Sequence, residues 1–178
     1  MWRTASKRFT VVALATLLGG CGLTQKVVDG TASTARAVFY KQVKTLHLDF
    51  TGRSAMNTDS IEMSGLSVPV LVRVYQLRDH QALDKATYDD LVSHGERVLG
   101  GDLLNEKAVV VKPGAAAQLS TPLHRQAQYI VVIALFRNPD MEENTWRLTL
   151  QRDDLDPDQP RVVELGDNRL KLRPRSED

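Results

Sequence analysis

An all-β fold, two sheets packed as a sandwich with an inserted helix and a helical N-terminal segment, is what the sequence predicts. Three observations point to it. Short segments of alternating apolar and polar residues recur from Thr45 to Leu172, the period of strands with one buried and one wet face. Turn-forming runs such as Pro113-Gly114 and Gly166-Asp167-Asn168 stand between them. After Lys44, helical spacing is found in one stretch, Asp79 to Ser93. The chain's 178 residues, 42% apolar and 25% charged, suit one ordinary domain. A formal net charge of +1 lacks the basic excess of a nucleic-acid-binding domain, so no nucleic-acid partner is expected.

The first 20 residues read as an export signal. Arg3, Lys7 and Arg8 form a basic region before the apolar run Phe9 to Leu18. That run falls short of the roughly 20 apolar residues of a spanning helix, and no later segment supplies them. Leu18-Gly19-Gly20-Cys21 follows at once and holds the chain's single cysteine. A lone cysteine excludes a disulfide framework and any multi-cysteine metal site, and a stray thiol is a liability after export. Its position instead resembles the lipobox of bacterial lipoproteins, which implies diacylglycerol and palmitate attachment at Cys21 as the first mature residue. One acyl chain binds a membrane marginally, whereas three anchor it durably, at roughly 0.8 kcal/mol per buried CH₂. Gly22 in place of Asp implies, by the same resemblance, the outer membrane. Cleavage leaves residues 21–178 and lowers the formal charge from +1 to −2, because the leader carries three cations and no anion.

Residues 21–43 read as a lipidated tether leading into a helix with Val28, Ala32, Ala35 and Phe39 on one face. The sandwich is expected over 44–178. Leu46, Leu48 and Phe50 alternate as a first strand, and a long polar loop follows to Gly65. Val68 to Tyr75 is apolar on both faces for part of its length, with Pro69 at its entrance. Leu83, Ala86 and Leu91 mark the helix, with Asp79 or Asp84 as N-cap. Ala108 to Lys112, Ala117 to Ser120, the continuously apolar Tyr129 to Phe136, and Trp146 to Leu150 read as strands. Val163 and Leu165 pass through Gly166-Asp167-Asn168 to Leu170 and Leu172 as a closing hairpin. The total is seven or eight strands.

Catalytic and metal patterns are not expected. His47, His80, His94 and His124 lack metal-ligand spacing. No nucleophile elbow or phosphate-cradling glycine loop occurs. Asp154, Asp156 and Asp158 imitate the start of a calcium loop, but Gln159 and Leu165 stand where Gly and Glu are required, so a solvated acidic turn is the reading.

The order of segments resembles the TssJ (VasD-like) outer-membrane lipoproteins of type VI secretion systems. The residues that carry the resemblance are Cys21, Asn57, Val68-Pro-Val-Leu-Val-Arg-Val-Tyr-Gln-Leu77 and Leu83-x-x-Ala86-x-Tyr88-x-x-Leu91. Downstream they are Val111-Lys-Pro-Gly114, Tyr129 with Ala134-x-Phe136-Arg137, and Trp146. The resemblance implies a transthyretin-like β-sandwich with an added helix, no catalysis and no cofactor beyond the lipid on Cys21. It implies binding to the periplasmic C-terminal region of TssM and, through TssM, association with TssL. The loop Arg53 to Gly65 is implicated in that contact, with candidate residues Arg53, Asn57, Thr58, Asp59, Ser60, Ile61, Glu62 and Met63. A loop of this length suits a functional role, and Ile61 and Met63 are its apolar anchors, since binding energy needs a buried centre within a polar rim.

Two other readings compete with this one. Hydroisourate hydrolases share such sandwiches but need clustered histidine and arginine and a particular C-terminal tetrapeptide, whereas this chain finishes Arg175-Ser-Glu-Asp178. A periplasmic lipoprotein acting as a pore chaperone or ligand-binding module is the alternative, although few aromatics remain to stack on a sugar, and no small-molecule substrate is expected.

Overall fold

A computed structural model of the chain describes residues 43–58 and 66–175. The signal segment, Cys21, the tether helix and Asp59 to Met63 lie outside the described residues. Eight strands form two four-stranded sheets. β1 (Thr45–Gly52), β4 (Ala116–Pro122), β7 (Arg161–Gly166) and β8 (Arg169–Leu172) make one, in the order β4-β1-β7-β8. β2 (Val70–Leu77), β3 (Leu103–Val111), β5 (Tyr129–Ala134) and β6 (Arg147–Gln151) make the other, in the order β3-β2-β5-β6. All neighbours are antiparallel except β1 and β7, which run parallel with Leu48 opposite Arg161 and Gly52 opposite Leu165.

The core lies where the alternation put it. Leu46, Leu48 and Phe50 of β1, and Val163 and Leu165 of β7, are fully buried. β2 and β5 sit side by side at the centre of their sheet, with Val74 opposite Val132, and both are buried on two faces. Their second face is covered by the helical insertion. This is two helices rather than the single one expected: α1 (Gln81–Lys85) and α2 (Tyr88–Leu99). Thr87 caps α2 in place of Asp79 or Asp84. Its hydroxyl accepts from Asp90 N, and the Asp90 carboxylate accepts from Thr87 N, a reciprocal capping box. The Asp79 carboxylate instead accepts from His80 N at 2.6 Å, just ahead of α1.

α2 is kinked at His94 (φ −143°). A kink releases carbonyls that would otherwise bond within the helix. The Arg73 guanidinium, on the outer face of β2, donates to the carbonyls of Leu91 and Val92 at 3.0 Å each. Gly95 follows the kink, and a Cβ there would lie 2.6 Å from the Tyr75 hydroxyl, so its missing side chain sets how closely α2 approaches β2. Tyr88 donates to the Phe136 carbonyl at 2.7 Å and meets Trp146 edge to face at 5.0 Å.

β3 begins five residues earlier than its apolar run, because Leu103 to Lys107 form an edge strand with a polar outer face. The closing hairpin turns through Asp167 (φ 49°) and Asn168 (φ 59°), between the paired Gly166 and Arg169. Two successive left-handed residues make the type I′ turn that suits strand twist. Among the described residues no helix is long and apolar enough to cross a membrane.

Candidate protein-binding surface

Strand directions sort the loops into two ends. β1 finishes at Gly52 beside the start of β4, β7 runs parallel to it, and β2 starts opposite the last residue of β3. The β1–β2 loop, the β3–β4 turn, the β5–β6 loop and the β7–β8 turn therefore share one end. Val43, where the described chain begins, lies at the other: its carbonyl accepts from Arg152 Nη2 at 3.2 Å.

The near half of the β1–β2 loop is bolted to each of its neighbours. Gly114 N donates to the Arg53 carbonyl at 3.3 Å, which joins the loop to the β3–β4 turn. Asp167 N donates to the Ala55 carbonyl at 3.3 Å, and Asn168 Nδ2 to the Thr58 carbonyl at 2.9 Å, which joins it to the β7–β8 turn. Arg137 N donates to Asn57 Oδ1 at 2.7 Å, which joins it to the β5–β6 loop. Asn57 Nδ2 donates to the Pro69 carbonyl at 3.3 Å and ties the loop's two ends together. Gly52 leaves room for this convergence, since a Cβ there would meet the Lys112 carbonyl at 2.4 Å.

The candidate residues thus separate. Arg53 is exposed and ion-paired with Glu164 at 3.5 Å, its side chain 60% accessible. Thr58 is half-buried. Asn57 is 2% exposed with φ 52° and has its amide turned inward, so its place as a contact residue is corrected to that of a bracket holding the loop. Asp59, Ser60, Ile61, Glu62 and Met63 lie outside the described residues. Met56, in the same segment, is fully buried in the core.

Two residues at this end were not singled out by the sequence reading. Leu66 is 66% exposed at the far side of the β1–β2 loop, and Met141 is 53% exposed in the β5–β6 loop. Val110, near the end of edge strand β3, is also exposed at 53%. These three are the large apolar side chains most exposed among the described residues, and all lie at this end, which makes it the candidate docking surface. Their signal in the sequence was weak, since a lone Met between Asp140 and Glu142 has no periodicity to set it apart.

Two of the four histidines make local contacts. His80 Nδ1 meets Asp84 Oδ2 at 2.6 Å and its ring stands edge-on to Tyr129, while His124 Nδ1 accepts from Gln126 N at 3.2 Å. In the acidic turn, Asp156 Oδ1 accepts from the backbone of Asp158 and Gln159, and Asp154 Oδ2 from Gln151 N. Among the described residues no group of three or more His, Cys, Asp or Glu is placed to hold a metal.

Residues 44–168 match the family described as type VI secretion lipoprotein, VasD, EvfM, TssJ. A comparison with curated proteins found no match. Among solved structures, a chain described as "T6SS protein TssM C-terminal domain (869-1107) from EAEC" is 40% identical, with a TM-score of 0.68, covering 75% of this chain and 100% of its own. A chain from a "Type VI membrane complex" is 41% identical, with a TM-score of 0.70 and the same coverage. Lip, described as a membrane-bound component of the type VI secretion system of Serratia marcescens, is 22% identical with a TM-score of 0.64, and the likeness is one of fold. It covers 75% of this chain and 100% of Lip. With the family profile spanning the sandwich from just before β1 to the β7–β8 turn, the chain belongs to the type VI secretion lipoprotein family of TssJ and VasD.

Proposed function

We propose that this lipoprotein is acylated on Cys21, sits on the periplasmic face of the outer membrane, and holds the type VI membrane complex there without catalysis. It does so by binding the periplasmic C-terminal region of TssM with the end of the sandwich built around Arg53 to Thr58; TssL joins through TssM. The observation that carries the reading is that one end of the domain gathers three loops hydrogen-bonded to the β1–β2 loop, with Leu66 and Met141 exposed beside them. A rigid rim with exposed apolar groups loses little freedom on binding. The 40% identity to a chain in a structure described by the TssM C-terminal domain supports the choice of partner. The lipobox and Gly22 support the membrane.

The test uses the full lipoprotein. Leu66→Asp combined with Met141→Asp should leave circular dichroism and the thermal midpoint unchanged, since both residues already face water. Recovery of TssM from detergent-solubilised membranes should fall at least about tenfold, the effect of losing one interface hot spot. Undiminished recovery would move the interface elsewhere on the domain.

A further inference from the structure

Each loop at the docking end holds a residue in the left-handed backbone region. Asn57 (φ 52°) stands in the β1–β2 loop, Gly114 (φ 69°) in the β3–β4 turn, Asn144 (φ 54°) in the β5–β6 loop, and Asp167 and Asn168 in the β7–β8 turn. Among the described residues, Gly100 is the one other with such a backbone. Those at the docking end that are not glycine need bonds to hold them against the strain. Asn57 has its bonds to Arg137 and Pro69, and Asp167 and Asn168 have the hairpin that they close. Asn144 is left, and it follows Met141 by three residues.

The β5–β6 loop is built around that methionine. Ahead of it, the Asp140 carboxylate accepts from Glu142 N at 3.1 Å and from Glu143 N at 3.0 Å, which bends the chain across Met141. Behind it, Asn144 Oδ1 accepts from Trp146 Nε1 at 3.2 Å, and the Asn144 carbonyl accepts from Arg147 N at 3.2 Å. Trp146 is fixed in its turn. It is 1% exposed, meets Tyr88 edge to face, lies under the Arg147 guanidinium at 5.4 Å, and accepts from Ala134 N through its carbonyl at 2.9 Å. Arg137, where the loop leaves β5, is held by Asn57. Between these two fixed ends Met141 faces water.

We propose that Asn144 is a positioning residue for docking. Its left-handed backbone and its bond to Trp146 set where the β5–β6 loop turns back, and so hold Met141 in the place where it meets the partner. This rests on the docking reading above and adds to it the residue that presents the anchor. An alanine at 144 disfavours the left-handed region and has no acceptor for the indole, so the torsions there relax and swing residues 141–143. Aspartate keeps both the tolerance of that region and the acceptor, whereas glycine keeps the backbone alone. A methionine held in place loses less freedom on binding than one on a wandering loop.

The test measures the concentration of full lipoprotein that half-saturates capture of TssM from detergent-solubilised membranes, in a cycle of Met141→Ala, Asn144→Ala and the double variant. Asn144→Ala should raise it about three- to tenfold with circular dichroism retained, and the double variant should match Met141→Ala alone. Asn144→Asp should bind as the unaltered chain does. The coupling is a readout that a merely structural role would not move, since loosening elsewhere multiplies the two losses. Should Asn144→Ala fail to fold, Asn144→Gly carries the same cycle, with a rise of at least about twofold. Loss with Met141→Ala but none with the variant at 144, or losses that multiply, would overturn the proposal and leave the docking reading standing. Unchanged capture by Met141→Ala would remove that reading and the proposal with it.

Discussion

Asn57 joins a left-handed backbone, φ 52°, to an amide whose oxygen serves Arg137 and whose nitrogen serves Pro69, partners 80 and 12 residues away. Few side chains other than asparagine tolerate that backbone region, and none of the aliphatic ones can make both bonds. Asn57→Ala should therefore cost about 2 to 3 kcal/mol, from left-handed strain and the loss of both side-chain hydrogen bonds. Urea unfolding would measure it. Asn57→Asp, which keeps the acceptor for Arg137 N, should cost less. The resemblance marks Asn57 as a contact residue with the rest of its loop, and the difference has a physical source. Composition tells that a side chain is polar; its burial depends on partners brought together only by the fold. Met56 is the apolar counterpart, a fully buried residue within a segment that reads as solvent-facing.

Among the elements, α2 depends on side chains from the strand beneath it. Gly95→Ala would drive a methyl group against the Tyr75 hydroxyl, which cannot swing away because Tyr75 is fully buried. Overpacking of this kind costs about 1 to 3 kcal/mol, and Tyr75→Phe, by removing the oxygen, should restore much of the loss in the double variant. A thermodynamic cycle from four urea curves checks the coupling. The same tyrosine and Tyr88 make the domain sensitive to alkali. Burial raises both pKa values above the ordinary 10.0, with Glu106 and Asp89, respectively, adding to the shift. A pKa raised on folding gives stability that is complete below the unfolded value, about 10, and is lost as pH climbs through the folded values. The urea midpoint should hold steady up to about pH 9.5 and fall beyond 10, with phenolate absorbance lagging behind that of the unfolded chain; Tyr88→Phe should shrink the fall. The helix itself was legible from Leu83, Ala86 and Leu91, but its division was not, since apolar spacing runs on across Ala86 and Thr87. The Thr87 and Asp90 pair was the available signal. Leu103 to Lys107 went unread because an edge strand keeps its outer face polar.

For the molecule as a whole, alternation told which face of each strand is buried but not which strand lies next to it. The two-sheet sandwich and the central place of β2 and β5 were legible, whereas the parallel β1–β7 pair, joining segments over 100 residues apart, was not. Substitutions separate centre from rim. Val132 is fully buried, so Val132→Asp should yield insoluble or protease-sensitive protein. Ile61→Asp should stay folded with weaker TssM recovery, with solubility and pull-down as the paired readouts. Cys21→Ser should abolish palmitate labelling and membrane retention while leaving the circular dichroism of the domain intact. β1 has one more role. It leads from Val43, where the described chain begins, towards Arg53, at the proposed docking end, and its eight residues span roughly 26 Å at about 3.3 Å per residue. It pairs with β4 from Thr45 to Thr51 on one flank and with β7 from Leu48 to Gly52 on the other. Tension between a lipid held in the membrane and a partner gripping the far loops would therefore run along a single strand clamped on both sides. Its hydrogen bonds would be strained together in shear instead of opening one after another. Stretched between the chain's N-terminal segment and a handle at Ser54, the domain should withstand higher force in an optical trap than when pulled across the β7–β8 hairpin.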